Sequence, residues 1–227
     1  AGTARAHKTD TDEVVRVVGA GRTGTLPDLP DGLYLDGGFR PATSRRTMES
    51  FDPGKGGAFA SFARGDADDV DAAVTSAARA FEDGWRDTAP VERGRILARV
   101  AQLILAEADR LAIAECLDSG KTLAEAEGDV RGAARAFEYY AGACDKLEGK
   151  TFPLGAGYLG YSLHEPVGVT AHVIPWNYPI STAARGLAPA LAAGCTVVAK
   201  PAEQTPFTAL MLADILTRAG LPAGVCN

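Results

Sequence analysis

The feature that most constrains the fold is the alternation of patterns between Val167 and Asn227. Residues 167–174 form a nearly continuous apolar run, the pattern of a strand covered on both faces. Residues 181–193 read as a helix, 196–199 as a second buried strand, 206–219 as a second helix and 224–227 as the start of a third strand. That order builds a parallel sheet through right-handed crossovers, and such sheets collect ligands just beyond the carboxyl ends of their strands.

Upstream the periods change. Residues 1–30 carry two prolines and little periodicity, and they read as an N-terminal arm. Within the arm, residues 14–18 suit a strand, and Gly19-Ala20-Gly21-Arg22-Thr23-Gly24 spells a dinucleotide fingerprint. That fingerprint works only when a helix begins inside it, and Pro27 and Pro30 would break such a helix. Between residues 33 and 62 short apolar pieces alternate with Gly- and Asp-rich turns, which suggests hairpins.

Helical spacing follows from 66 to 85, with Val70, Val74, Ala77, Ala78 and Phe81 on one stripe. A second helix opens at Pro90 and buries Ile96, Leu97, Val100, Leu103 and Ile104. Further helices are expected over 111–117, stopping near Gly120, and over 123–147. Residues 158–165 read as a strand that Pro166 ends. The expected fold class is therefore α/β, a helical N-terminal part plus an incomplete Rossmann-like parallel sheet spanning residues 31–227.

Composition removes several functions. With 23 Lys+Arg against 29 Asp+Glu, the net charge of -6 argues against a nucleic-acid footprint or a polybasic membrane face. Cys116, Cys144, Cys195 and Cys226 are scattered without CxxC spacing, so neither a metal site nor a disulfide framework is expected. The first twenty residues lack an apolar segment and no run is long enough to span a bilayer, so the default location is cytoplasmic. His7 falls in the arm, and His164 and His172 on expected strands, where structural roles suit them.

The chemistry-bearing residues lie past the two parallel strands. Asn177 offers an amide donor for negative charge growing on a carbonyl oxygen; its alternative is a turn residue between Pro175 and Pro179. Trp176 suits the wall of a channel, or simply core. Lys200 and Glu203 could hold a ribose, the lysine on its oxygens and the carboxylate on its two hydroxyls. Their alternative is a surface ion pair or a helix N-terminal acid.

These residues carry a resemblance. Ile174-Pro175-Trp176-Asn177-Tyr178-Pro179, the run from Leu187 to Val198, and Lys200-Pro201-Ala202-Glu203-Gln204-Thr205-Pro206 are similar to consecutive motifs of the aldehyde dehydrogenase superfamily. Asp118-Ser119-Gly120-Lys121, Tyr139-Tyr140-Ala141-Gly142 and Glu165-Pro166-Val167-Gly168-Val169 extend the likeness upstream, over roughly residues 31–227. The resemblance implies that Asn177 is the side-chain half of an oxyanion hole. It implies that Val173, Ile174, Pro175 and Trp176 line the nucleotide pocket, and that Lys200 and Glu203 hold the adenosine ribose. Glu203 implies NAD rather than NADP, because a 2′-phosphate would meet a carboxylate. The implied reaction oxidises an aldehyde to an acid by thiolate attack, hydride transfer and hydrolysis.

The family's catalytic cysteine, general-base glutamate, pyrophosphate turn and nicotinamide-ribose carboxylate correspond to positions past Asn227. None of the four resident cysteines has an evident activating neighbour. This chain alone is therefore expected to be inactive and to need a complementary C-terminal portion or a partner chain, in an assembly that the resemblance implies is a homo-oligomer. The alternative is a non-catalytic, truncated homologue acting as a binding or partner module.

Overall fold

The computed structural model describes residues 28–227. The expected strand at 14–18, the glycine motif at 19–24 and His7 lie outside the described residues, as does most of the arm. Two antiparallel hairpins open the described chain, as the turn chemistry suggested. β1 (Leu33–Leu35) pairs with β2 (Gly38–Arg40) around Asp36 and Gly37, both at positive φ. β3 (Thr47–Asp52) pairs with β4 (Gly57–Ala63) with a register shift at Ser50 and Phe51.

Four helices follow. α1 (Ala67–Ala80) continues into a turn of π-helix at Phe81–Trp85, and α2 (Pro90–Ala106) begins with its proline at N1, where the missing N–H costs nothing. α3 (Ala108–Ser119) ends at Gly120, whose φ of 75° is a conformation glycine adopts without strain. α4 (Leu123–Ala141) is started by a capping box in which Thr122 and Glu125 each bond the other's backbone N–H. α2 buries Ile96, Leu97, Val100 and Ile104, as its spacing predicts.

The remaining elements are β5 (Thr151–Phe152), β6 (Gly160–Tyr161), β7 (Val169–Ile174), α5 (Pro179–Ala192), β8 (Thr196–Pro201) and α6 (Phe207–Arg218). β7 and β8 are parallel, with Val173 opposite Lys200 and Ile174 opposite Pro201. The third strand begins where expected. Val197 N donates to Val225 O at 2.9 Å and Ala199 N to Asn227 O at 2.8 Å, placing residues 225–227 beside β8. Helices α2 to α6 pack together, and α1 and α5 both rest on the β7–β8 pair. Phe137, Leu97, Ile104, Leu111, Ile180 and Leu191 are fully buried in this layer. The α/β class holds, with helices preceding a short Rossmann-like parallel sheet.

Five local expectations are corrected. The buried face of α1 is Asp69, Ala73, Ser76 and Ala77; Val70 and Val74 are exposed, because small side chains let this helix approach the sheet closely. α4 stops at Ala141 rather than 147, leaving Cys144 in the turn that follows. Only Gly160 and Tyr161 of the expected 158–165 strand pair, with β5, and His164 lies in coil. β7 starts at Val169, after Gly168 at φ 105°, rather than at Val167. Nor is it covered on both faces: Ala171 is exposed and Val173 is 78% exposed, while Ile174 is buried.

Candidate functional site

The two strand ends deliver the candidate residues to one edge. After Ile174, Pro175, Trp176, Asn177 and Tyr178 are exposed, and Pro179 at the N1 position turns the chain into α5. After β8, the Lys200 ammonium donates to Glu203 Oε2 at 3.2 Å and to Pro201 O at 3.0 Å. Its own backbone amide and the Lys200 ammonium hold the Glu203 carboxyl below the usual carboxylate range. The two loops are tied together where the Thr205 hydroxyl donates to Trp176 O at 3.2 Å.

A cavity of about 610 Å³ opens beneath this edge. Ile174, Lys200 and Glu203 line it together with Val198, Val70 and Leu187. Val173, Pro175, Trp176 and Asn177 are not on its wall. The structure thus gathers three of the seven expected site residues around one cavity and leaves the other four on the adjoining open surface.

Behind the edge lies a polar network to which the motif Asp118-Ser119-Gly120-Lys121 contributes two members, while its other members, Glu115, Thr208 and Ser50, had not been singled out. Glu115 and Asp118 of α3 are buried, at 0% and 2% exposure. Glu115 Oε2 accepts from Thr208 Oγ1 at 2.6 Å and from Ile180 N at 3.4 Å, and Lys121 Nζ lies 3.0 Å from Glu115 Oε1. Asp118 accepts from Ser50 Oγ at 2.6 Å and from Phe207 N at 3.1 Å. The two carboxylates therefore meet the first turns of α5 and α6, the helices that follow the two site loops. Burial pushes the Asp118 pKa up to about 7, against the Ser50 and Phe207 donors and with the Glu115 charge adding to it. The available signal was the pair of acids three apart on a helix otherwise facing the core, Leu111, Ala112 and Ile113 among its buried residues.

Of the cysteines only Cys226 lines the cavity. Cys144, Cys195 and Cys226 are buried and Cys116 is half-buried. Burial raises the pKa of Cys116 and Cys144, and pushes that of Cys226 up to about 12. His172 is likewise held below its ordinary pKa by burial, with its Nε2 at 2.9 Å from Thr170 Oγ1. No helix among the described residues is long and apolar enough to cross a membrane.

Comparison with known proteins gives the family of the chain. The sequence profile described as the aldehyde dehydrogenase family matches residues 39–227. The chain is 45% identical over 202 residues to aminoacetaldehyde dehydrogenase of Pseudomonas aeruginosa, covering 88% of this chain and 41% of that protein. It is 44% identical over 203 residues to hydroxyisobutyraldehyde dehydrogenase of Mycolicibacterium austroafricanum, covering 89% of this chain and 40% of the relative.

Among solved structures, HpcC from Thermus thermophilus superposes with a TM-score of 0.88 at 40% identity, over 93% of this chain and 41% of that one. PnpE, solved in complex with nicotinamide adenine dinucleotide, gives 0.85 at 38% identity, over 88% and 41%. The chain spans about 40% of the length of the curated relatives it matches. On its profile match and its identity to these relatives, the chain belongs to the aldehyde dehydrogenase family.

Proposed function

We propose that this chain supplies the adenosine-ribose clamp and the oxyanion amide of an NAD-dependent aldehyde dehydrogenase, which oxidises an aldehyde to a carboxylic acid. The observation that carries the reading is the parallel register of β7 and β8. It sends the Asn177 loop and the Lys200–Glu203 loop off the same sheet edge, bridged by Thr205 and Trp176. Ligands of open parallel sheets sit at that position.

The residues fit an NAD-type ligand. Lys200 and Glu203 are exposed at the cavity, with a cationic donor and an anionic acceptor within reach of vicinal hydroxyls. Val173, Ile174, Pro175 and Trp176 offer an apolar wall for the nucleotide. A carboxylate at 203 favours NAD over NADP. The bound nicotinamide supplies the hydride acceptor. Asn177 donates a hydrogen bond to the aldehyde oxygen as negative charge grows on it, and this needs no change in its own protonation.

In this reading residues 31–227 are part of a dinucleotide-binding domain, and a complementary C-terminal portion or partner chain brings the nucleophile and base. The exposed Ala171 on the β7–β8 sheet is part of the surface such a complement would cover. A homo-oligomeric, cytoplasmic enzyme, its four free cysteines kept reduced, completes the proposal. The test is an assay of the protein containing this chain with simple aldehydes and NAD. Aldehyde-dependent NADH formation with release of the acid is expected. Binding of NAD without turnover, under conditions where the complement is present, would instead support a non-catalytic binding module.

A further inference from the structure

Asn177 stands between two residues that the molecule holds from behind. On one side, Trp176 O accepts from the Thr205 hydroxyl at 3.2 Å, and Thr205 is buried. On the other side, the centroid of the Tyr178 ring lies 4.9 Å from Lys121 Nζ, within the range of a cation–π contact. That ammonium is fixed in turn by Glu115 Oε1 at 3.0 Å and by Asp129 Oδ2 at 2.6 Å. Glu115 also accepts from Ile180 N, three residues past Asn177 at the start of α5.

The placement of Lys121 is unusual for a lysine. Its side chain is only 11% exposed, and burying an ammonium is costly unless opposite charges converge on it. Burial works against its charge, and the Asp129 and Glu115 carboxylates outweigh burial, so its pKa is raised and it stays cationic. Asn177 itself is exposed, so the position of its amide depends on its two neighbours in the loop. An oxyanion donor contributes to rate only when it is held in place before charge develops, and misplacement by about 1 Å can cost about a hundredfold.

We infer that Lys121, anchored by Glu115 and Asp129, is a positioning residue that holds the Asn177 amide in place through the Tyr178 ring. This rests on the oxyanion role proposed above for Asn177. The competing account is that the charges merely fasten the junction of α3 and α4. It allows a loss of stability but gives Lys121 no reason to act through Asn177.

A double-mutant cycle separates the two accounts. In the active protein containing this chain, kcat and KM are measured for the unaltered form, Lys121→Met, Asn177→Ala and the double variant. Lys121→Met is expected to lower kcat about tenfold, a size that a desolvated cation–π contact can support, with the KM for NAD changing less than about twofold. In the Asn177→Ala background the same change should add less than about twofold, because the group it positions is gone. Tyr178→Leu, which leaves the charge cluster intact, should reproduce the loss, and it decides the question if Lys121→Met fails to fold.

Equal fold losses with and without Asn177, or an unchanged kcat in Tyr178→Leu, would overturn the inference. Full turnover in Asn177→Ala alone would remove the oxyanion role and the positioning role together. That outcome is distinct from an impaired Asn177→Ala on which the Lys121 effect is additive, where only the positioning role fails.

Discussion

Lys200 Nζ lies 3.2 Å from Glu203 Oε2 at the end of β8, with the two side chains 63% and 52% exposed. An ion pair this open adds little to folding. In the proposed reading its consequence is selectivity. Glu203→Gln keeps the size of the side chain and removes the charge that opposes a 2′-phosphate. The KM for NAD is expected to rise about tenfold while that for NADP changes little or falls, as loss of a charged ribose acceptor implies. Equal effects on the two cofactors, read from initial rates, would argue against the ribose role.

Asp118 should leave a signature in stability. Its folded pKa of about 7 lies above the ordinary 3.8. The folded protein therefore holds a proton that the unfolded chain releases, and the associated stability is fully present below pH 3.8 and lost as pH rises through about 7. Chemical unfolding at about pH 5.5 and about pH 8 should show a decline of about 2 kcal/mol from this group, at about 1.4 kcal/mol per pH unit over the part of the window below 7. Asp118→Asn should flatten that decline. An identical slope in the variant would mean that another group titrates.

The thiols should be quiet in the folded protein. With its pKa pushed up to about 12, Cys226 carries a thiolate fraction of about one in ten thousand at pH 8. Mass spectrometry after iodoacetamide treatment should find Cys226 unmodified until the protein is unfolded, with half-buried Cys116 reacting slowly. Individual Cys→Ser changes at 116 and 226 should leave aldehyde oxidation within about twofold, since burial raises the pKa of both thiols and so disfavours the nucleophilic thiolate. Rapid labelling of folded Cys226 would contradict its burial.

Much of the fold was legible because its signals are local. The apolar runs at β7 and β8, the proline at N1 of α2 and the glycine after α3 each act within a few residues, and each element appears close to where its pattern places it, β7 two residues later than its run. The expectations that failed depend on what lies opposite. Val70 and Val74 fit a helical stripe, yet Ala73 and Ala77 face the sheet because close approach favours small side chains over larger ones. An apolar run alone could not reveal that Val173 would stand exposed.

The candidate site was legible as residue types past strand ends, and the register of β7 and β8 brings those loops to one edge. The support behind it was not, since Glu115, Lys121 and Thr208 meet only through contacts among α3, α5 and α6.

The central claim is that Asn177 stabilises the developing oxyanion, and the most direct measurement is single-turnover oxidation of an aldehyde by Asn177→Ala with saturating NAD. The rate of NADH formation should fall by roughly 10²- to 10³-fold, the loss expected for one oxyanion donor, while the NAD dissociation constant from fluorescence titration stays within about twofold. An unchanged rate of hydride transfer, or a loss accounted for entirely by weaker NAD binding, would contradict the assignment.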